Sequence, residues 1–102
     1  MRKKIKRTGR YFVYIVECND ATYYTGYTND LQRRIKEHNN SKRRAKYLRG
    51  KLPVKVVWSK KYRYFRPAFL TEKRIKDLTR KQKETLIRGK RLNKVLIDAG
   101  VN

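Results

Sequence analysis

Apolar and polar positions alternate in short bursts along this chain. Tyr11-Phe12-Val13-Tyr14-Ile15-Val16-Glu17-Cys18 is β-branched and aromatic, without Gly or Pro, and predicts a strand. Asn19-Asp20 is a turn signal. Thr22-Tyr23-Tyr24-Thr25-Gly26-Tyr27 predicts a second strand, so the pair should form a hairpin, and Gly26 inside it suggests a bulge or a close approach. Thr28-Asn29-Asp30 can start a helix, with Asn29 as N-cap, Gln32 three residues later as in a capping box, and Asp30 suited to the positive end of the dipole. Leu31 and Ile35 mark its buried face, to about Asn39 or Asn40. Ser41 to Lys51 reads as a basic loop, and Pro53 to Trp58 as a third strand. Pro67 suits the first turn of a second helix running to about Leu78. A third begins near Thr79, with Leu86, Ile87, Leu92, Val95, Leu96 and Ile97 continuing one pattern. The expected architecture is α+β, a small three-stranded sheet flanked by helices in ββαβαα order.

Length and charge narrow the class. With 102 residues the chain suits one domain with one modest core. Lys and Arg number 30 against 8 Asp and Glu, a formal net charge of +22. Solubility asks for only about 2–8 charges on a small domain. Such self-repulsion is best offset by a polyanion, and nucleic acid is the expected partner. An anionic membrane surface is the weaker alternative, because no segment joins a wide apolar face to a basic one. One cysteine, Cys18, excludes an intrachain disulfide and a Cys-rich zinc site. No apolar stretch approaches the ~20 residues of a membrane span. The basic opening MRKKIKRTGR lacks the apolar core of a secretory signal, which points to the cytoplasm; it reads as a solvated tail over residues 1–10 or an arm along phosphates.

Among the few acidic residues Glu72 stands out. On the second helix Ala68, Thr71 and Ile75 share a face, and Glu72 falls within it. A carboxylate there costs several kcal/mol unless it is paired with a base or holds a metal. Spacing leaves both open. Arg34 and His38, at i and i+4, can reach one site at the border of the Leu31–Ile35 stripe, or be a solvated charge and a core-edge imidazole. Tyr14 and Tyr24 lie on neighbouring strands, where a Tyr ordinarily packs; a phenol can also serve as a base if cations lower its pKa. Arg33, Lys46 and Arg49 are candidate phosphate contacts.

Taken together, Phe12-Val13-Tyr14, Tyr24-Thr25-Gly26, the segment Tyr27 to Asn39 with Arg34 and His38, the segment Ala45 to Ser59, and Ala68-x-x-x-Glu72 resemble the GIY-YIG nuclease superfamily, in its small stand-alone branch. The resemblance spans about Tyr11 to Ile87. It implies a nuclease domain over residues 11–90, with 91–102 as a C-terminal helical extension, and metal-dependent cleavage of phosphodiester bonds, DNA favoured. It implies Glu72 as ligand of Mg²⁺ or another divalent cation such as Mn²⁺. Arg34 would hold the scissile phosphate. Tyr14 and Tyr24 would line the site, one deprotonating the attacking water, and His38 would assist. Phe12 stands where the family motif has Gly, and Lys83 to Lys90 lacks the Asn that several family nucleases carry downstream of the Glu. A non-catalytic module for DNA or structured RNA is the alternative, supported by basic-aromatic stretches such as Lys60 to Arg66.

Overall fold

The computed structural model describes residues 8–40 and 42–100. Most of the tail expected over residues 1–10 lies outside the described residues; Thr8 to Arg10 already belong to a strand. Strands β1 (Thr8–Glu17), β2 (Tyr23–Thr28) and β3 (Lys55–Tyr64) form one antiparallel sheet of order β2-β1-β3. Four helices complete the α+β fold: α1 (Leu31–Asn40), α2 (Phe65–Lys76), α3 (Arg80–Ile87) and α4 (Leu92–Asp98). A 3-10 turn, Lys46–Leu48, interrupts the loop between α1 and β3.

Alternation along the central strand sorts two cores. Tyr11, Val13 and Ile15 point to one face and pack with Ala68, Ile75, Leu78, Leu86, Val95 and Leu96 from α2, α3, α4 and the α2–α3 junction. Tyr14, Val16 and Cys18 point to the other, against Leu31, Ile35, Ala45, Leu48 and Val54. Burial pushes the Cys18 thiol up, as befits a small core residue. Asn39 fastens α1 to the start of β3, donating to the Val54 carbonyl at 3.1 Å and accepting its N–H at 2.8 Å.

Four local expectations are corrected. The α1 cap is Asp30 rather than Asn29: Asp30 Oδ1 accepts the Arg33 N–H at 3.1 Å, while Asn29 Oδ1 takes the Arg33 guanidinium at 3.2 Å. The capping box belongs instead to α3, where Thr79 and Gln82 exchange bonds. β3 begins at Lys55 rather than Pro53 and runs past the expected end at Trp58 to Tyr64, so it takes in the basic-aromatic stretch from Lys60. The pattern after Thr79 is two helices, because Gly89 at φ +114° ends α3 and turns the chain into α4. β3 and β2 are the outer strands, and Lys55, Lys60, Lys61 and Arg63 along β3 are all exposed.

Candidate active site

Tyr14 sits on the central strand, its backbone held between Gly26 of β2 and Ser59 of β3. Its ring lies across Gly26 toward the β2 edge. A methyl group there would meet Tyr14 Oη at 2.6 Å and Cζ at 2.8 Å. Gly26 is therefore the close approach rather than a bulge, since the β1–β2 register is unbroken. The hydroxyl reaches His38 Nε2 at 2.7 Å, and both residues are fully buried.

His38 occupies the last turn of α1. Its Nδ1 accepts the Ala45 N–H at 3.4 Å. A main-chain N–H only donates, so Nδ1 is the bare nitrogen, and Nε2 carries the proton that is given to Tyr14. Burial, helped by the neighbouring Arg34 charge and opposed by Glu37, holds the imidazole down to about 4, so it is neutral at pH 7.

Burial likewise pushes the Tyr14 phenol above its ordinary range, with Tyr24 adding to it. Arg34 opposes chiefly through its charge, and the Glu72 carboxylate pushes up again. Four elements thus converge on one hydroxyl: β1, β2, α1 and α2. Arg34 is braced from the protein side, donating to Glu37 Oε1 at 3.1 Å and to the Arg43 carbonyl at 2.8 Å. Glu72 is buried on the α2 face with Ala68, Thr71 and Ile75, and its Oε1 lies 3.1 Å from Lys76 Nζ. Tyr24 completes the cluster, its ring 6.5 Å from Tyr14, 5.7 Å from His38, and stacked at 5.9 Å on Tyr47.

The structure therefore gathers Tyr14, Tyr24, Arg34, His38 and Glu72. The candidate phosphate contacts are less close-knit. Lys46 and Arg49 are exposed around the 3-10 turn beside Tyr47, whereas Arg33 is exposed near the start of α1 and bonded to Asn29. Sequence reasoning missed Lys76, which the i, i+4 spacing from Glu72 could have suggested, and Tyr47, which no local pattern marks.

A divalent cation here would draw on Glu72 and on few other protein ligands, because among the described residues no three His, Cys, Asp or Glu side chains come together. Glu72 is buried, acidic and within electrostatic reach of the Tyr14 hydroxyl. That donor set fits a hard, largely hydrated cation such as Mg²⁺ and does not fit zinc. Among the described residues no helix is long and apolar enough to cross a membrane.

Known proteins resemble this chain. The chain is 46% identical over 87 residues to a UPF0213 protein of Bacillus velezensis, covering 85% of this chain and 87% of that one. It is 50% identical over 74 residues to a UPF0213 protein of Halobacterium salinarum, covering 72% and 95%. The solution NMR structure of the UPF0213 protein BH0048 from Bacillus halodurans superposes with a TM-score of 0.52 at 42% identity, over 78% of this chain and 83% of that one. Residues 10–85 match the GIY-YIG catalytic domain, and the chain belongs to that family.

Proposed function

We propose that the protein is a divalent-metal-dependent endonuclease that hydrolyses phosphodiester bonds in DNA with little sequence preference. The observation that carries this reading is the convergence of Arg34, His38 and Glu72 on the Tyr14 hydroxyl, in a chain of net charge +22.

His38 donates to one lone pair of Tyr14 Oη, which leaves the phenol proton and the other lone pair to face a substrate. Because burial keeps Tyr14 a phenol, it acts as a relay: Oη takes a proton from the attacking water while its own proton passes to a non-bridging phosphate oxygen. The water oxygen bonds phosphorus, the bond to the leaving sugar oxygen breaks, and that oxygen takes a proton from solvent. Arg34, held by Glu37 and Arg43, needs no reorganisation to oppose the charge that builds on the phosphate. Tyr24 walls the site, and Lys46 and Arg49 bind flanking phosphates. A cation on Glu72 would stabilise the leaving oxygen as a Lewis acid.

A second reading rests on the ion pair between Lys76 and Glu72. If that pair is permanent, Glu72 is structural and the protein only binds nucleic acid. Wild-type and Glu72→Gln protein, incubated with labelled single-stranded, duplex and branched DNA and an RNA hairpin, with Mg²⁺ or EDTA, separate the two. Cleavage that needs Mg²⁺ and falls on the order of 10²–10³-fold in the variant, with binding kept, is expected. Equal cleavage by both proteins overturns the assignment of Glu72, and binding without cleavage by either favours the second reading.

A further inference from the structure

Along the outer edge of β2 runs a trough of about 310 Å³, lined by Tyr23, Tyr24, Thr25, Tyr47, Lys76 and Lys83. It adjoins the candidate active site through two shared residues. Tyr24 packs on Tyr14 and His38, and Lys76 holds Glu72. None of the six lining residues is acidic. Two groups at the trough lack a polar partner among the described residues.

The first is Lys83. It is half-buried on α3, and among the described residues it has no carboxylate partner. Burial, and then the charge of Lys76, depress its pKa. A lysine that gives up hydration beside a second lysine is destabilising unless an anion comes between them. The second is Thr25, which is buried and whose Oγ1 has no hydrogen-bond partner among the described residues. A buried hydroxyl without a partner is destabilising. Two cations line one trough, with the Thr25 hydroxyl sealed beneath it, beside a site suited to phosphate chemistry.

We infer that the trough binds a second phosphate of the same nucleic-acid strand, next to the one that is cut, with Lys83 as its principal ligand and Lys76 assisting. The inference rests on nucleic acid being the partner, and not on cleavage. It also gives Lys76 a second role, since a phosphate in the trough competes with Glu72 for its ammonium and leaves that carboxylate freer. The rings of Tyr24 and Tyr47, stacked at 5.9 Å, form the wall that would exclude water from the bound phosphate.

The test measures binding of a short single-stranded DNA in EDTA by wild-type, Lys83→Met and Lys83→Arg proteins. Each phosphate in turn is replaced by a neutral methylphosphonate. In wild type, one position should cost about tenfold in affinity, the size of a charge-assisted hydrogen bond. Lys83→Met should lose the same factor, stop sensing that position, and shallow the salt dependence by about 0.7 in log K per log salt. Lys83→Arg should behave as wild type. On the native chain, amine labelling of Lys83 should be blocked by the same oligonucleotide. A Lys83→Met protein with the wild-type scan and salt slope, or labelling that the oligonucleotide leaves unchanged, overturns the proposal. Failure of cleavage in the Glu72 experiment leaves this binding test intact.

Discussion

Gly26→Ala is the smallest change that reaches the heart of the site. Gly26 does not need its conformational freedom, for its φ lies outside the left-handed range of Gly50, Gly89 and Gly100. The Tyr14 ring is what a side chain would meet first. The new methyl carbon would sit 2.6 Å from Oη, 2.8 Å from Cζ and 3.2 Å from Cε1, and Tyr14 is packed on every side. The ring must tilt away, which overpacks the core at about 1–3 kcal/mol. Tilting also stretches the 2.7 Å bond to His38, worth about 1 kcal/mol more. The sum, about 2–4 kcal/mol, lowers Tm by on the order of 10–20 °C in a domain of this size. Misplacing the hydroxyl by about 1 Å should slow cleavage about 10²-fold. Thermal melts and single-turnover cleavage are the assays. Gly89→Ala is the control: no atom lies within 4 Å of its added carbon, but its φ of +114° strains the backbone, so it should lower Tm and leave cleavage alone. Tyr14→Phe removes the 2.6 Å contact and keeps the one at 2.8 Å, so the double variant should recover about 0.5–1 kcal/mol relative to additivity. A Gly26→Ala protein with wild-type Tm and wild-type cleavage would refute the geometry of the site.

Other expectations follow from single bonds. His38 has a folded pKa of about 4 against an ordinary 6.5, so the unfolded chain takes up a proton between those values. Stability should fall as pH drops through that window, by up to about 1.4 kcal/mol per pH unit, and urea melts of His38→Gln should lack that contribution. Arg34→Lys keeps the charge, but its one nitrogen would have to serve Glu37, Arg43 and a phosphate together, where Arg34 braces through Nη1 alone; cleavage should fall on the order of 10²-fold with binding almost unchanged, and an unaltered rate would count against a phosphate-facing Arg34. Thr79→Ala removes the α3 cap and should cost about 1 kcal/mol in denaturant melts, with binding weakened through the loosened Lys83.

What the sequence disclosed and what it concealed have different physical origins. The strands were legible because β-branched and aromatic runs have few alternatives, and Glu72 was conspicuous because its neighbours on α2 are apolar. Which residues pack against which was legible only along single helices and strands. That Tyr14 and His38 share a hydrogen bond, 24 residues apart in the chain, depends on how α1 docks on the sheet. The α3–α4 break leaves a trace in the sequence, since on one continuous helix Val95 would fall on the face opposite Leu86 and the apolar period therefore changes phase across Gly89. The Asp30 cap was missed because Asn29 and Asp30 are both good caps, and only the backbone path chooses between them. The trough at Lys83 draws on β2, the 3-10 turn, α2 and α3, so no stretch of sequence announces it.

The outer strand β3 bears on how the protein behaves in bulk. Its free edge is ten residues long, a template on which another copy could add a strand. Lys55, Lys60, Lys61 and Arg63 keep copies apart by mutual repulsion. Those same charges attract polyanions, and a bound polyanion cancels the repulsion. Mixtures near charge balance should therefore turn cloudy as edges meet, and clear again when either component is in excess. Salt should clear them as well, since it strips the polyanion before it screens the lysines. The concentration of nucleic acid thus sets the solubility of the protein, and assays belong on the protein-poor side of that balance.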